Sequence, residues 1–284
     1  MSGIKAHTIR IWEKRYNILN PERTDTNIRF YCDEDLKRLL NISVLIKNGG
    51  KISRIASLSN ESLRQKILEL NHVSTPAENG QIENLIVAMI EMDEAKFEKV
   101  LNNSIIQIGF EETLFSIVYP LLQKIGILWQ IGTITPVQEH FISNLIRQKL
   151  YAAIDALPVD RNANSKTFLL TLPQWELHDL GLLVYNYLIR KKGYKTIFLG
   201  QGVPIKDVIA IHEQVHPDAI VTSFSTPMES VDMLEYLHGL SRSFKGLPLY
   251  VGGIQLDKLG SALPGSVVKF PTVTEFRDKI LKEI

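Results

Sequence analysis

The alternation of apolar and polar positions divides the chain into three parts. From residue 165 onward, short apolar runs bounded by turn residues alternate with segments of helical period. This alternation is typical of a parallel sheet in an α/β domain. The predicted strands are residues 167–172, 195–199, 219–223, 249–251 and 267–270.

The middle of the chain is predicted to be helical. Residues 82–157 keep a helical period that favours a small bundle of four helices. The expected breaks lie near Asp93, Gly109 and Gly132. Thr135 is placed as the N-cap of the last helix, with Pro136 at its first position and Gln138 completing a capping box. Residues 71–80, which precede the bundle, are polar with Pro and Gly and predict a flexible linker.

The first part of the chain combines a cationic helix with a short hairpin. Residues 4–16 place apolar side chains near one side of a helix and basic ones on the outside. The apolar set is Ile4, Ile9, Trp12 and Tyr16. A turn-rich stretch then leads into residues 28–31, which alternate like a strand, and Asp33 is predicted to cap a helix from Glu34 to about Lys47. This order of helix, wing and helix predicts a winged helix-turn-helix.

Composition favours a soluble protein of two or three domains, expected in the cytoplasm. The 284 residues are 45% apolar and 22% charged. No apolar run reaches about 18 residues and no signal-peptide pattern is present. Cys32 is the single cysteine, which excludes an intramolecular disulfide and a cysteine-rich metal site. Residues 1–70 carry 13 Lys and Arg against 8 Asp and Glu, as nucleic-acid-binding modules do.

Residues 2–56 resemble MerR-type regulators. The resemblance rests on the helix sequence HTIRIWEKRY from His7 to Tyr16 and on Arg29-Phe30-Tyr31 in the wing. It implies that the first helix enters the major groove while the wing contacts phosphates. The implied DNA-binding residues are Lys5, His7, Arg10, Lys14, Arg15, Arg29 and Tyr31. In the family a further helix precedes the position of Ser2-Gly3, so the first helix of the motif is expected to be missing here.

Candidate ligand chemistry lies where predicted strands end. The loops there contain Glu176–Gly181, then Ser223–Ser225, then Gly252-Gly253. In open α/β sheets, ligands bind outside the carboxyl ends of the strands, where the strand order reverses. With 41 residues between Gly181 and Ser223, and 26 between Ser225 and Gly252, the pattern resembles the flavodoxin-like cobalamin-binding domain in which a histidine replaces the cofactor's own base.

The resemblance implies that His178 is the lower axial ligand of cobalt. Glu176 and Ser223 are the expected partners of its second ring nitrogen. The backbone at Gly252 and Gly253 is expected to let a flat nucleotide tail approach closely. The implied cobalamin-binding set in this domain is Glu176, His178, Gly181, Ser223, Ser225, Gly252 and Gly253. Ser225 departs from the family pattern, where a Leu is usual.

Trp129, followed after nine residues by Glu139-His140, resembles the helical cap of CarH- and LitR-type photoreceptor regulators. The resemblance implies that Trp129 lies over the upper face of the corrin, against the adenosyl group, with Glu139 and His140 beside it. Gln130 stands where the best-known members have a second cobalt-ligating His.

These patterns predict a multidomain α and α/β protein. Its expected parts are a DNA-binding head (1–70), a linker (71–80), a four-helix cap (81–160) and an α/β cobalamin-binding domain (161–284). The family implies a transcriptional regulator and not an enzyme, a homo-oligomer that binds a double-stranded DNA operator away from any membrane. Adenosylcobalamin is the expected cofactor, and light, cofactor level and oxygen stay open as the signal, since Gln130 replaces the second His.

Two other functions stay open. One is a regulator whose cobalamin domain binds no cofactor and serves as a platform for protein interaction, which Ser225 and Gln130 favour. The other is a corrinoid carrier for methyl transfer, which would have no use for the basic helix and wing.

Overall fold

The computed structural model of the chain describes residues 4, 6–19, 21–23, 27, 29–47, 49–69, 76–130, 132–158, 165–226, 228–259 and 263–283. They belong to two compact units, Met1–Ile142 and Ser143–Ile284. Across these residues no helix combines the length and the apolar character needed to cross a membrane.

The first unit begins with a helix, a two-stranded wing and further helices, as predicted. The elements are α1 (Ala6–Tyr16), β1 (Glu22–Arg23), β2 (Arg29–Phe30), α2 (Asp33–Lys47), α3 (Ile52–Ile55) and α4 (Asn60–Glu69). The two strands pair antiparallel. The capping prediction for α2 is wrong: Asp33 is already helical, and the preceding Cys32 donates its backbone N–H to the Asp35 carboxylate (3.4 Å). A carboxylate three residues into a helix can satisfy such a free N–H.

The core of the head lies under α2. It contains Ile18, Leu19, Leu39, Ile42, Leu45, Ile55 and Leu63. Arg38 joins the segments around this core, because its guanidinium donates to the backbone carbonyls of Ile18 (2.9 Å), Ala56 (3.2 Å) and Leu58 (3.0 Å). α1 buries no side chain completely, and Ile9 and Trp12 on its apolar side are half-buried.

The helical middle has the four predicted segments. They are α5 (Pro76–Glu91), α6 (Glu94–Ile108), a segment composed of α7 (Phe110–Thr113), a π-helical turn (Leu114–Val118) and α8 (Tyr119–Gln130), and α9 (Pro136–Asp155). α5 begins inside the stretch 71–80 predicted as a linker, and residues 70–75 lie outside the described part. The capping box of α9 is confirmed: Thr135 N–H donates to Gln138 Oε1 (2.9 Å), and Gln138 N–H to Thr135 Oγ1 (3.4 Å).

The second unit contains the predicted parallel sheet. Its strands are β3 (Thr167–Pro173), β4 (Lys195–Val203), β5 (Ala219–Ser223), β6 (Leu249–Gly252) and β7 (Val267–Lys269). They lie in the order β4-β3-β5-β6-β7 and all neighbours are parallel. The order reverses at β3, so the flavodoxin-like prediction is confirmed and the crevice falls between the loops after β3 and β5.

Helices cover both faces of this sheet. They are α10 (Leu180–Lys191), α11 (Ile205–Ala210), α12 (His212–Val215), α13 (Ser230–Ser243), α14 (Val273–Glu275) and α15 (Leu281–Glu283), with a 3-10 turn (Leu256–Leu259) and a π turn (Phe276–Ile280). Leu169, Ile220 and Val251 pack against α11 and α13. Because side chains alternate along a strand, Ser223 and Gly252 face the opposite side, towards α10.

Candidate functional site

The loop after β3 buries an acid and exposes a histidine. Glu176 is 1% exposed, whereas the side chain of His178 is 65% exposed. The chain turns here because the backbone N–H of Glu176 donates to the carbonyl of Pro173, where β3 ends (2.9 Å). The imidazole therefore stands at the carboxyl edge of the sheet, as the sequence predicted.

The Glu176 carboxylate accepts hydrogen bonds from two loops. Within its own loop it accepts the backbone N–H of His178 (3.0 Å) and lies 2.7 Å from the Nδ1 of that residue. From the loop after β5 it accepts the backbone N–H groups of Ser225 (2.6 Å) and Thr226 (2.7 Å) and the Thr226 hydroxyl (2.8 Å). One buried carboxylate thus joins the carboxyl ends of β3 and β5.

The charge of Glu176 fixes the chemistry of the imidazole. Burial raises the pKa of this carboxyl, but the hydrogen bonds from His178, Thr226 and Ser225 outweigh it and lower the pKa to about 2. The carboxylate is ionised at neutral pH and can only accept hydrogen bonds. Its contact with Nδ1 therefore holds the hydrogen of a neutral imidazole on Nδ1, which leaves the lone pair of Nε2 for a metal.

Thr226 belongs to the site although the sequence prediction missed it. Its hydroxyl oxygen lies 3.1 Å from the Nδ1 of His178. Ser223, which was expected in this role, is buried in the sheet opposite Gly252. Only the run of hydroxyl side chains after β5 could have indicated Thr226. Ser225 contributes its backbone to the site. Its N–H donates to Glu176, and its carbonyl accepts the Gln255 side-chain amide (3.2 Å).

Gly253 is required by the protein's own backbone. Its φ is 101°, and an added Cβ would lie 2.2 Å from the carbonyl oxygen of Phe224. Phe224 donates its N–H to the Gly252 carbonyl (3.0 Å), and the Gln255 N–H returns to the Phe224 carbonyl (3.2 Å). This close turn, and not an open surface, accounts for the second glycine of the motif.

The space beside Gly252 is filled by aromatic side chains. An added Cβ there would lie 2.6 Å from Phe270 Cε2 and 2.8 Å from the Tyr185 hydroxyl oxygen, and a Cβ at Gly181 would lie 3.8 Å from that same hydroxyl. The expected close approach of a nucleotide tail to Gly252 and Gly253 stays a prediction. The spacing could not show the aromatic packing, because Phe270 reaches Gly252 only through the fold.

Two exposed apolar side chains lie in loops at the carboxyl edge of the sheet. Leu177, next to His178, is 63% exposed, and Ile254, in the loop after β6, is 76% exposed. The exposed imidazole suits the lower axial position of a corrinoid's cobalt.

Arg147 of α9 supports the histidine loop within the second unit. Its Nη2 lies 2.9 Å from Oδ1 of Asp179, and its Nε lies 3.2 Å from Oδ1 and 3.3 Å from Oδ2 of the same carboxylate. Asp179 is buried and follows His178 directly in the chain. Arg147 had no part in the sequence prediction, since an i, i+32 contact carries no local signal.

The predicted cap residues lie at consecutive helix ends of the first unit. Trp129 is the penultimate residue of α8 and is 51% exposed. Glu139 and His140 lie in the first turns of α9, with Glu139 Oε2 3.0 Å from His140 Nδ1. A tryptophan of this exposure is not an ordinary core residue. Their contact with a ligand stays a prediction.

In the DNA-binding head, Glu13 of α1 holds two residues of the wing. Its carboxylate accepts the Arg29 Nε–H (3.1 Å) and the Tyr31 hydroxyl. Burial and this hydrogen bond raise the pKa of Tyr31 to about 12. Two side chains predicted to contact phosphates are therefore positioned by an acid of α1. Glu13 was not predicted in this role.

The other predicted DNA-binding side chains on α1 are accessible. His7, Arg10, Lys14 and Arg15 are all exposed, and the Arg15 guanidinium lies 5.4 Å from the centre of the Tyr16 ring. Lys5 lies outside the described residues. The basic side of α1 is thus free to face a phosphate backbone, and its contact with DNA stays a prediction.

In comparison with known proteins, two family models match separate parts of the chain. Residues 1–62 match the model of the MerR HTH family regulatory protein, and residues 81–154 match that of the B12 binding domain. The chain is 28% identical over 259 residues to the HTH-type transcriptional repressor CarH of Myxococcus xanthus, covering 89% of this chain and 86% of that one. It is 28% identical over 262 residues to the repressor CarA of the same organism, covering 89% and 84%.

The fold also resembles a solved structure. The monomethylamine corrinoid protein of Methanosarcina barkeri covers 72% of this chain and 100% of its own, with a TM-score of 0.57 and 13% sequence identity. The chain is a transcriptional regulator with a MerR HTH domain and a B12 binding domain, and it is similar over most of its length to CarH and CarA.

Proposed function

We propose that this regulator binds a corrinoid on its α/β unit, with His178 as the lower axial ligand of cobalt. The observation that carries the proposal is the exposed imidazole whose Nδ1 is held by the ionised, buried Glu176. Such carboxylate–histidine pairs orient the free nitrogen and raise its basicity towards a metal. Leu177 and Ile254 offer apolar contact to the ring around the cobalt.

The proposed form of the cofactor is adenosylcobalamin, which supplies a cobalt–carbon bond that light can break. Trp129, Glu139 and His140 are proposed to distinguish the adenosyl group from small upper ligands. Their contacts would control a homo-oligomer that places several DNA-binding heads on one operator. On this proposal the chain catalyses no reaction. Its residues bind and orient the cofactor and respond to the presence of the adenosyl group.

Titration of the full chain with adenosylcobalamin in darkness tests the ligand assignment. We expect one cofactor per chain and the absorbance of a histidine-ligated corrinoid. His178→Ala should remove that absorbance and weaken binding, whereas His238→Ala, an exposed histidine on α13, should leave both unchanged. An unchanged spectrum in His178→Ala would refute the proposal.

Light and the adenosyl group are tested separately. We expect illumination to change the oligomer size of the loaded protein, measured by light scattering. Trp129→Ala should narrow the difference in affinity between adenosylcobalamin and methylcobalamin. If illumination leaves the oligomer size unchanged, light is not the signal. If the affinity difference persists in Trp129→Ala, Trp129 does not contact the upper ligand.

A second candidate is a regulator whose α/β unit binds no cobalamin and serves as an interaction platform. The aromatic packing against Gly252 favours it, together with Ser225 in the motif. The same titration tests this candidate. It requires that the absorbance spectrum of a corrinoid stays unchanged when the protein is added. A methyl-transfer carrier is disfavoured by the MerR HTH match over residues 1–62.

A further inference from the structure

His178 is the middle residue of a tight turn. The backbone N–H of Asp179 donates to the carbonyl of Leu177 (3.1 Å), which closes the turn around the histidine. The side chains of Leu177 and His178 are largely exposed, so packing does little to fix their orientation. The direction of the imidazole therefore depends on the groups that hold the two ends of this turn.

The two ends of the turn are held by two acidic residues. Before the histidine, Glu176 accepts the backbone N–H of His178 (3.0 Å) and contacts its ring. After the histidine, Asp179 is buried, and its backbone carbonyl accepts the N–H of Leu183 in the first turn of α10 (2.9 Å). Asp179 thus joins the histidine turn to this helix. Because one peptide bond links Asp179 to His178, a rotation of the first moves the second.

The side chain of Asp179 does not cap the helix that it precedes. Asp is among the favoured N-cap residues, because its carboxylate can accept free N–H groups of the first turn. Asp179 occupies the N-cap position of α10, but its side chain makes no capping hydrogen bond there. Its carboxylate faces the Arg147 guanidinium instead, with Nη2 2.9 Å from Oδ1. The contact with Arg147 therefore replaces the local one, although helix stability alone favours the cap.

The guanidinium of Arg147 is itself oriented from the other side. Its Nη1 donates to the side-chain oxygen of Asn144, one turn earlier on α9. Its Nε and Nη2 face Asp179, so all three guanidinium nitrogens have an acceptor. A planar fork bound on two sides has one orientation, whereas the ammonium of a lysine is a point charge on a flexible stem. Arg147 thus gives Asp179 a fixed direction as well as a compensating charge.

We propose that Arg147 is a positioning residue for the cobalt ligand, an inference that rests on the proposed ligation by His178. By fixing Asp179, the guanidinium fixes the far end of the histidine turn and keeps the imidazole in one orientation. Glu176 selects the ring nitrogen that is available, and Arg147 holds the direction in which that nitrogen points. Both are needed because a bond to a metal requires the right nitrogen and the right direction.

A double-mutant cycle with adenosylcobalamin, titrated in darkness into the full chain, tests this role. Arg147→Lys keeps the charge but loses the fork. When His178 is present it should weaken binding by about tenfold, the lower end of what losing a partner behind a metal-bound histidine costs. In a His178→Ala background the same substitution should change binding by less than about twofold, because no imidazole is left to orient. Arg242→Lys, at an exposed arginine of α13, is the matched control and should bind as the wild type does.

Equal weakening in both backgrounds would show that Arg147 only supports the fold, and unchanged binding in both would show that charge alone suffices. Either result overturns the proposal. Proton NMR of the chain without added corrinoid gives a second measurement. The Nδ1–H signal of His178 should be sharp in the wild type and in Arg242→Lys. It should be broadened in Arg147→Lys, since a mobile turn exposes this hydrogen to exchange with water.

The NMR comparison also separates this inference from the proposed function. If the wild type binds no corrinoid, the proposed function fails, and an Nδ1–H signal unchanged in Arg147→Lys would overturn the positioning role as well. If only His178→Ala binds too weakly to measure, the NMR comparison decides alone. Circular dichroism shows whether each variant is folded. If Arg147→Lys is not, Asn144→Ala, which frees only Nη1, serves in both measurements, and the absence of any effect there would overturn the proposal.

Discussion

Glu176→Gln is the most informative single substitution in the α/β unit. The amide keeps the shape of the carboxylate but loses its charge, and its NH2 group must face donors from Ser225 and Thr226. The carboxyl pKa falls from 4.5 to about 2 in the folded chain. Since one pKa unit corresponds to about 1.4 kcal/mol, ionisation of this group contributes about 3–4 kcal/mol to stability at neutral pH.

The pH dependence follows from the direction of the shift. A carboxyl whose pKa is lowered on folding stabilises the protein fully above its unfolded pKa, here 4.5, and loses that contribution as the pH falls towards 2. Wild type and Glu176→Gln should therefore differ most above pH 4.5 and converge as the pH approaches 2.

Urea unfolding at a series of pH values measures this difference. Glu235→Gln, an exposed carboxyl on α13, is the matched control and should change stability by less than about 0.5 kcal/mol. A Glu176→Gln protein as stable as the control at neutral pH would show that the carboxylate does not join β3 to β5, and the fixed tautomer of His178 would lose its basis.

Three further substitutions test other contacts. Gly253→Ala should lower the free energy of urea unfolding by about 3 kcal/mol or more, because backbone strain and a clash with Phe224 combine. Gly246→Ala, at a positive φ with open space, should lower it by about 1 kcal/mol, and equal losses would contradict the clash. Arg147→Met should cost about 2 kcal/mol by the same assay, as it leaves a buried carboxylate unpaired. Glu13→Gln should lower the pKa of Tyr31 from about 12, followed by ultraviolet titration of the phenol, and no change would contradict their hydrogen bond.

Element positions in the α/β unit were predictable because local patterns determine them. The strand at Ala219–Ser223 was placed to the residue, and β3 and β6 each extend one residue beyond the prediction. The exposed His178 was also found, since motif spacing puts it in the loop after the first strand. The start of α2 was missed by one residue because cap preference alone favours Asp33, whereas in the structure the Asp35 carboxylate accepts the N–H of Cys32.

The sequence by itself determined the order of the parts, the positions of the strands and the loop that carries the histidine, while the family resemblance implied the strand order. The first three depend on periodicity, turn residues and spacing, which are properties of neighbours along the chain. Only the tertiary structure decided that Thr226 supports the imidazole, that Arg147 holds the adjoining aspartate and that Tyr185 fills the space beside Gly252. Each of these contacts joins residues more than 30 positions apart, so only packing and the burial of charge bring them together.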